Sequence, residues 1–273
     1  MTDALAVSGL DIDLAPVVAE QPDPLLFATV SGAHLYGFPS RDSDVDLRGV
    51  HLLPTAALVG LREADETRSR WGYLPARAES RAWGRVRDGV EMDLVTHDLR
   101  KFVRLMLKRN GYVLEQLLSP LVVHTTDAHR ELAALAPGVL TSHHAHHYRG
   151  FATTQWRLFE KTRELKPLLY TFRVLLTGIH LMRSGEVQAH LPTLLAEVDA
   201  PAYLPELVRA KAEREHGAAD VDHARVRADV ERLHTVLDEA QAASALPDAP
   251  VAYDALHDLV VRVRLEGAGF PQG

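Results

Sequence analysis

The chain contains no cysteine among its 273 residues. That absence excludes a disulfide framework, a zinc ribbon and a thiol nucleophile, and it fits a reducing compartment such as the cytoplasm. The opening stretch MTDALAVSGLDIDLAPVVAE has acidic residues and no basic segment before an apolar run, so no secretory signal is expected. No apolar run approaches the roughly 20 residues that cross a bilayer. A soluble, cytoplasmic protein with no membrane partner is therefore expected. Excess positive charge is also missing: 30 Lys and Arg against 37 Asp and Glu leave a net charge of −7, which argues against a protein that coats nucleic acid nonspecifically. Internal repeats and low-complexity tracts are absent. What remains, 47% apolar and 25% charged residues, is ordinary globular composition with enough chain for one large domain or two modest ones.

The charge is unevenly spread. Between Arg62 and Arg109 there are 12 Lys and Arg against 8 Asp and Glu, a local +4, leaving 18 against 29 elsewhere. A basic surface around a site and a plain solvated face both fit this pattern.

Short β-like runs and turn signals fill residues 24 to 126, and nearly everything after Asp127 follows a helical period, so the fold class is α+β. LLFATV (Leu25 to Val30) reads as a buried strand stopped at Ser31-Gly32. DSDVDLRGV (Asp42 to Val50) alternates, placing Asp44, Asp46 and Arg48 on one face and Val45, Leu47 and Gly49 on the other. VEMDLV (Val90 to Val95) does the same with Glu91 and Asp93 opposite Met92 and Leu94. Leu99, Phe102, Val103, Met106 and Leu107 then form a helical stripe that Gly111 is expected to end. Pro54 to Arg87 reads as irregular, and ASALPDAP (243 to 250) as a linker before a short last helix.

The informative segment is SGAHLYGFPSRDSDVDLRG, Ser31 to Gly49. A strand running into Gly32 and then a short helix presents backbone N–H groups suited to a triphosphate. Downstream, Asp44 and Asp46 put two carboxylates on one strand face, where like charges call for a cation or a shared proton. Hard divalent ions prefer such oxygen donors. A third carboxylate from a neighbouring strand, Asp93, would complete a two-metal clamp. The bland alternative is that DSD is a turn opening a strand. Arg48 on the acidic face fits a phosphate contact and equally a salt bridge to Asp46, and Glu91 competes with Asp93 as the third acid.

Gly32, Gly37, Ser43, Asp44 and Asp46 together resemble the signature of the DNA polymerase beta-like nucleotidyltransferase superfamily. The longer SGAHLYGFPSRDSDVDLRGV, with DLVTHDLRKFVRLMLKRNGYVLEQLLSP, resembles its RNA ligase-associated, YcgL-like predicted members over residues 25 to 185. The resemblance implies a small mixed β-sheet core flanked by helices; with the change of pattern at Asp127, residues 1–127 are expected to be the catalytic half and residues 128–273 an all-helical half that lids or orients the nucleotide. It also implies transfer of a nucleoside monophosphate from an NTP, ATP among them, to a hydroxyl acceptor such as an RNA end. Asp44, Asp46 and Asp93 would then ligate two Mg²⁺ ions, with Mn²⁺ as a substitute, and Ser31, Gly32, Ala33, Ser43 and Arg48 would bind nucleotide. One departure is Gly32-Ala33, where superfamily members carry Gly-Ser; the missing hydroxyl leaves Ser31 or Ser43 to replace it and bears on catalytic efficiency. A noncatalytic nucleotide-binding regulator and a noncatalytic partner in an RNA-processing complex are the rival readings.

In the helical half, Lys166, Tyr170, Arg173, Thr177 and His180 share about 80° of arc at 100° per residue, beside an apolar flank that includes Leu169, Phe172 and Ile179. Lys166, Tyr170 and Arg173 are expected at the nucleotide, with a solvated stripe as the alternative. His143, His144, His146 and His147 lack an identifiable third zinc ligand and default to surface or core histidines. Trp71, Trp83 and Trp156 are read as core packing rather than a stacking platform. His34 and Tyr36 touch the nucleotide or pack the short helix.

Overall fold

The computed structural model describes residues 10, 12–40, 43–74, 89–213 and 219–267. In chain order these give α1 (Ala15–Ala19), β1 (Leu25–Val30), α2 (Gly32–Tyr36), β2 (Val45–His51), α3 (Thr55–Val59), β3 (Thr67–Leu74), β4 (Val90–Asp98), α4 (Leu99–Leu107), α5 (Gly111–Leu117) and β5 (Val122–Thr125). Helices follow: α6 (Asp127–Leu135), a 3₁₀ turn (Ala136–Val139), α7 (His144–Thr162), α8 (Leu165–Ser184), α9 (Leu191–Glu197), α10 (Leu204–Glu213), α11 (His223–Ala242) and α12 (Tyr253–Gly267). The five strands lie in the order β3-β4-β2-β1-β5. β2 and β4 run parallel and the other pairs are antiparallel. This is an α+β fold with a mixed sheet and flanking helices.

The alternation in β2 and β4 sorts the two faces of the sheet. Val45, Leu47, Met92 and Leu94 are buried, whereas Asp46, Arg48 and Asp93 stay partly open. Phe27 meets Phe102 edge-on, ring centroids 5.5 Å apart, so α4 covers the apolar face with the expected stripe of Leu99, Phe102, Val103 and Met106. The apolar core is one continuous cluster that includes residues from Leu10 to Val263. Helix α8 lies inside it, packed against α7, α9, α10 and α11, and 15 of its 20 residues are buried. Helix α12 returns to α4 and α6.

Three expectations need correction. Pro54 to Arg87 is not uniformly irregular: Thr67–Leu74 forms β3, which pairs antiparallel with β4 along its whole length. As an edge strand it buries almost none of its side chains, so it lacks the apolar alternation that betrays a half-buried strand. Residues 75–88, Trp83 among them, lie outside the described residues. Gly111 does not end α4. The helix stops at Lys108, Arg109 adopts a left-handed φ of 62°, and Gly111 opens α5 behind an Asn110 cap whose side chain accepts from the Tyr112 N–H. The last helix is not short, at 15 residues.

Candidate active site

Strand β1 ends at Ser31, whose N–H donates to the Asp46 carbonyl at 2.8 Å, and the chain turns into α2 at Gly32 with φ +62°. Only glycine fits here: a Cβ would stand 1.9 Å from Asp46 Oδ2, and L side chains are strained at that φ. The turn thus lies directly against the second aspartate of the motif. Gly37, at φ 81°, closes α2 after five residues.

Asp46 and Asp93 are register partners on the parallel pair β2/β4, so their side chains leave the same face side by side. Arg48 Nη2 donates to both, 2.8 Å to Asp46 Oδ1 and 3.0 Å to Asp93 Oδ2, while its Nη1 reaches the Leu47 and Asp93 carbonyls and its Nε the Tyr112 hydroxyl. The two readings of Arg48 are thereby decided in part: the salt bridge to Asp46 exists, and it is shared with Asp93. Burial raises the Asp46 pKa above the usual carboxylate value, and Asp93 adds to this, against the lowering effects of Arg48 and Lys166. Burial works against charge on Arg48 too, but Tyr112, Asp46 and Asp93 outweigh it and hold the guanidinium protonated.

The remaining candidates fall into three groups. Asp44 precedes β2 by one residue and is exposed; among the described residues no three His, Asp or Glu side chains are gathered in a ready metal cage. Ser31 is fully buried with no hydrogen-bond partner for Oγ, Ala33 is buried, and Ser43 is buried against Ser40. Of the α8 stripe, Lys166 is near enough to Asp46 to lower its pKa and Tyr170 lines the cleft. Arg173 lies beneath it, wholly buried, 3.0 Å from Glu115 Oε2 and stacked 3.6 Å from the centroid of the Tyr36 ring. Thr177 is buried, and His180 meets Glu197 at 3.4 Å. The stripe is therefore no solvated face.

A cleft of about 600 Å³ opens at Asp46, with Gly32 and Asp46 on one side and Tyr112, His147, Phe151 and Tyr170 on others, and Asp93 is not part of its lining. Tyr112 and Phe151 carry no expectation from the sequence, and His147, read there as a surface or core histidine, lines the cleft as well. His147 and Phe151 are four apart on α7, a spacing that puts both on one helix face, and this was the signal available for them. Burial and then Arg173 lower the His147 pKa, which favours a neutral ring. His144 is buried against Thr141, and His143 precedes α7 as its cap position. Tyr36 lines the same cleft, while His34 faces a larger cavity of about 910 Å³ across α2, whose lining holds neither Asp46 nor Asp93.

The Gly32 turn thus lies against Asp46, and Asp93 stands in register with Asp46 on the next strand. Residues 8–262 match the RNA repair pathway DNA polymerase beta family. The chain belongs to that family. Within the curated proteins it is similar to an uncharacterized protein of Methanocaldococcus jannaschii, 31% identical over 166 residues that cover 60% of this chain and 63% of that one. The match thus spans less than two thirds of the archaeal protein. It is also similar to the uncharacterized protein YcgL of Bacillus subtilis, 25% identical over 239 residues, 80% of this chain and 83% of that one. Among solved structures, a nucleotidyltransferase-like protein from Exiguobacterium sibiricum aligns with 97% of this chain and 76% of its own at 12% identity and a TM-score of 0.31, a likeness too weak to bear on fold or function. No helix among the described residues is long and apolar enough to cross a membrane.

Proposed function

We propose that this member of the polymerase beta family transfers a nucleoside monophosphate from an NTP to a hydroxyl, with an RNA end as acceptor. The observation that supports it is the register pair Asp46–Asp93 lying against the Gly32 turn. Asp46 and Asp93 offer hard oxygen donors whose mutual repulsion Arg48 and Lys166 offset in part, and a divalent cation would relieve it further. They fit Mg²⁺, with Asp44 as third donor from the motif and Mn²⁺ as a substitute. When bound, the metal would supply charge neutralisation at the phosphates and activation of the attacking hydroxyl.

The chain's own groups do the rest by positioning. Gly32 and Ala33 offer backbone N–H groups toward the triphosphate, and Ser31 and Ser43 border that turn. Lys166 adds positive charge beside Asp46, and Tyr170, Phe151 and His147 wall the nucleoside. Arg173 orients Tyr36 from below rather than meeting phosphate. Asp93, on the neighbouring strand β4, would take the proton of the acceptor hydroxyl. Residues 1–127 carry the acids, and residues 128–273 close the cleft over the nucleotide; the division is one of role, across one apolar core.

Ala33, where a phosphate-facing hydroxyl is missing, favours the rival reading of a noncatalytic nucleotide-binding regulator. Release of pyrophosphate from labelled NTP with Mg²⁺, abolished by chelation and by Asp46→Asn, is expected for the transferase. NTP-dependent thermal stabilisation without pyrophosphate release would establish the regulator instead.

A further inference from the structure

The edge strand β3 carries two large aromatic side chains in the open. Trp71 is 59% and Tyr73 56% exposed, and their rings meet edge to face, centroids 5.1 Å apart. The expectation that Trp71 packs in the core is thus overturned. Register explains where it points instead: Trp71 pairs with Asp93 and Asp93 with Asp46, so all three leave the same face of the sheet in one cross-strand row. Tyr73 pairs with Glu91 in the next row. The indole is also fixed, since Trp71 Nε1 donates to Glu91 Oε1 at 2.6 Å. That bond gives Glu91 a role of its own and leaves Asp93 as the acid beside Asp46.

We propose that Trp71 and Tyr73 form the stacking platform for the acceptor, receiving the bases at the 3′ end of a single-stranded RNA whose terminal hydroxyl lies at Asp93. The inference rests on the transferase reading of the Asp46–Asp93 row. The distances suit it. Adjacent strands are about 4.8 Å apart, so the platform stands one strand outward from Asp93, and a nucleotide's base stands one sugar ring away from its hydroxyl. A fixed aromatic face at that offset has no use for a small hydroxyl compound or a serine side chain, but it matches an unstacked base, which any aromatic face can hold. Arg68 and Arg70 alternate to the opposite face of β3, where they pair with Asp23 and Glu20. On the described part of β3 the aromatic rings, and not these two arginines, therefore share the face of Asp93.

The test uses the full chain and a short dye-labelled single-stranded RNA ending in a 3′ hydroxyl, followed by fluorescence anisotropy with and without NTP. Trp71→Ala and Tyr73→Ala are each expected to raise the RNA Kd about tenfold or more, with NTP affinity and melting temperature unchanged, while Trp71→Phe keeps most of the binding. The same RNA with an abasic terminal nucleotide should bind the unaltered protein as weakly as the native RNA binds Trp71→Ala, a comparison that involves no variant fold. Equal affinity for native and abasic RNA, or Trp71→Ala binding RNA like wild type, overturns the platform. So does no RNA binding by the wild type, or transfer to protein hydroxyls in preference to RNA. Trp71-dependent RNA binding without any pyrophosphate release would sustain the platform and remove the transferase reading.

Discussion

Strand β4 carries two arginine–aspartate pairs, and they do opposite things. At one end Asp98 is fully buried and saturated: Arg264 Nη2 reaches both oxygens at 2.8 and 2.9 Å, and the Leu53 and Arg100 N–H groups also donate to it. Five residues earlier, on the other face, Asp93 shares Arg48 with Asp46, and the two carboxylates keep 40% and 30% of their side chains exposed. Burial with every lone pair engaged makes Asp98 a latch that pins α12 to the end of the sheet. Exposure with lone pairs to spare leaves the Asp46–Asp93 row open to the ligand proposed above. The chemistry of the pairs is alike; access to solvent separates them.

The largest expected effect breaks the comparison at the open pair. Asp46→Asn should lower NTP turnover by about a thousandfold or more while leaving the melting temperature nearly unchanged, because burial already makes the charged form of Asp46 costly. Turnover within tenfold of wild type would end the assignment of Asp46. Asp98→Ala should do the reverse. It strands Arg264 without its partner and strips an acceptor from two backbone N–H groups, costing about 3–5 kcal/mol in equilibrium unfolding, with turnover per folded molecule retained. If both variants lost activity and stability alike, the two pairs would not differ as described.

A smaller effect sharpens the point for buried groups at large. His144 and His97 have pKa values lowered from 6.5 to about 4, chiefly by burial, so the folded chain excludes protons that the unfolded chain binds. Stability is then complete above the unfolded value near 6.5 and declines as pH falls toward about 4. Denaturant titrations across that window should show the decline, of order 3 kcal/mol for His144, and His144→Gln should flatten its share. A slope unaltered in the variant would mean that His144 is not the group responsible.

The smallest effect concerns Lys166 on α8. Lys166→Ala should weaken NTP binding several-fold more than nucleoside binding, by about 1 kcal/mol, with no change in fold. Arg173→Met, which leaves Glu115 buried and unpaired, should instead lower stability and weaken both ligands together. Calorimetric affinity ratios for the two variants check this, and equal ratios would place both cations on the same footing.

Much of the geometry of the candidate site is legible in the sequence because it is local. The positive-φ glycine, the alternation of Asp46 and Arg48 against Val45 and Leu47, and Asp93 two residues from Glu91 are properties of short segments, and short segments fold by the same periodicities anywhere. Strand β1, the short helix at Gly32 and the helical second half follow from the same reasoning. Strand β3 escaped because an edge strand with both faces open has no hydrophobic pattern to show.

Sequence by itself determined which residues could share a face: carboxylates two apart on a strand, apolar positions three and four apart on a helix. Tertiary structure alone decided which faces meet. Parallel pairing in register put Asp46 beside Asp93 and antiparallel pairing set Trp71 outward of both. Packing of α8 within the core took Arg173 from a polar stripe to a buried pair with Glu115, and the return of α12 brought Arg264 to Asp98 across 166 residues. Periodicity is a property of a segment, whereas register, burial and long-range pairing depend on what the rest of the chain brings against it.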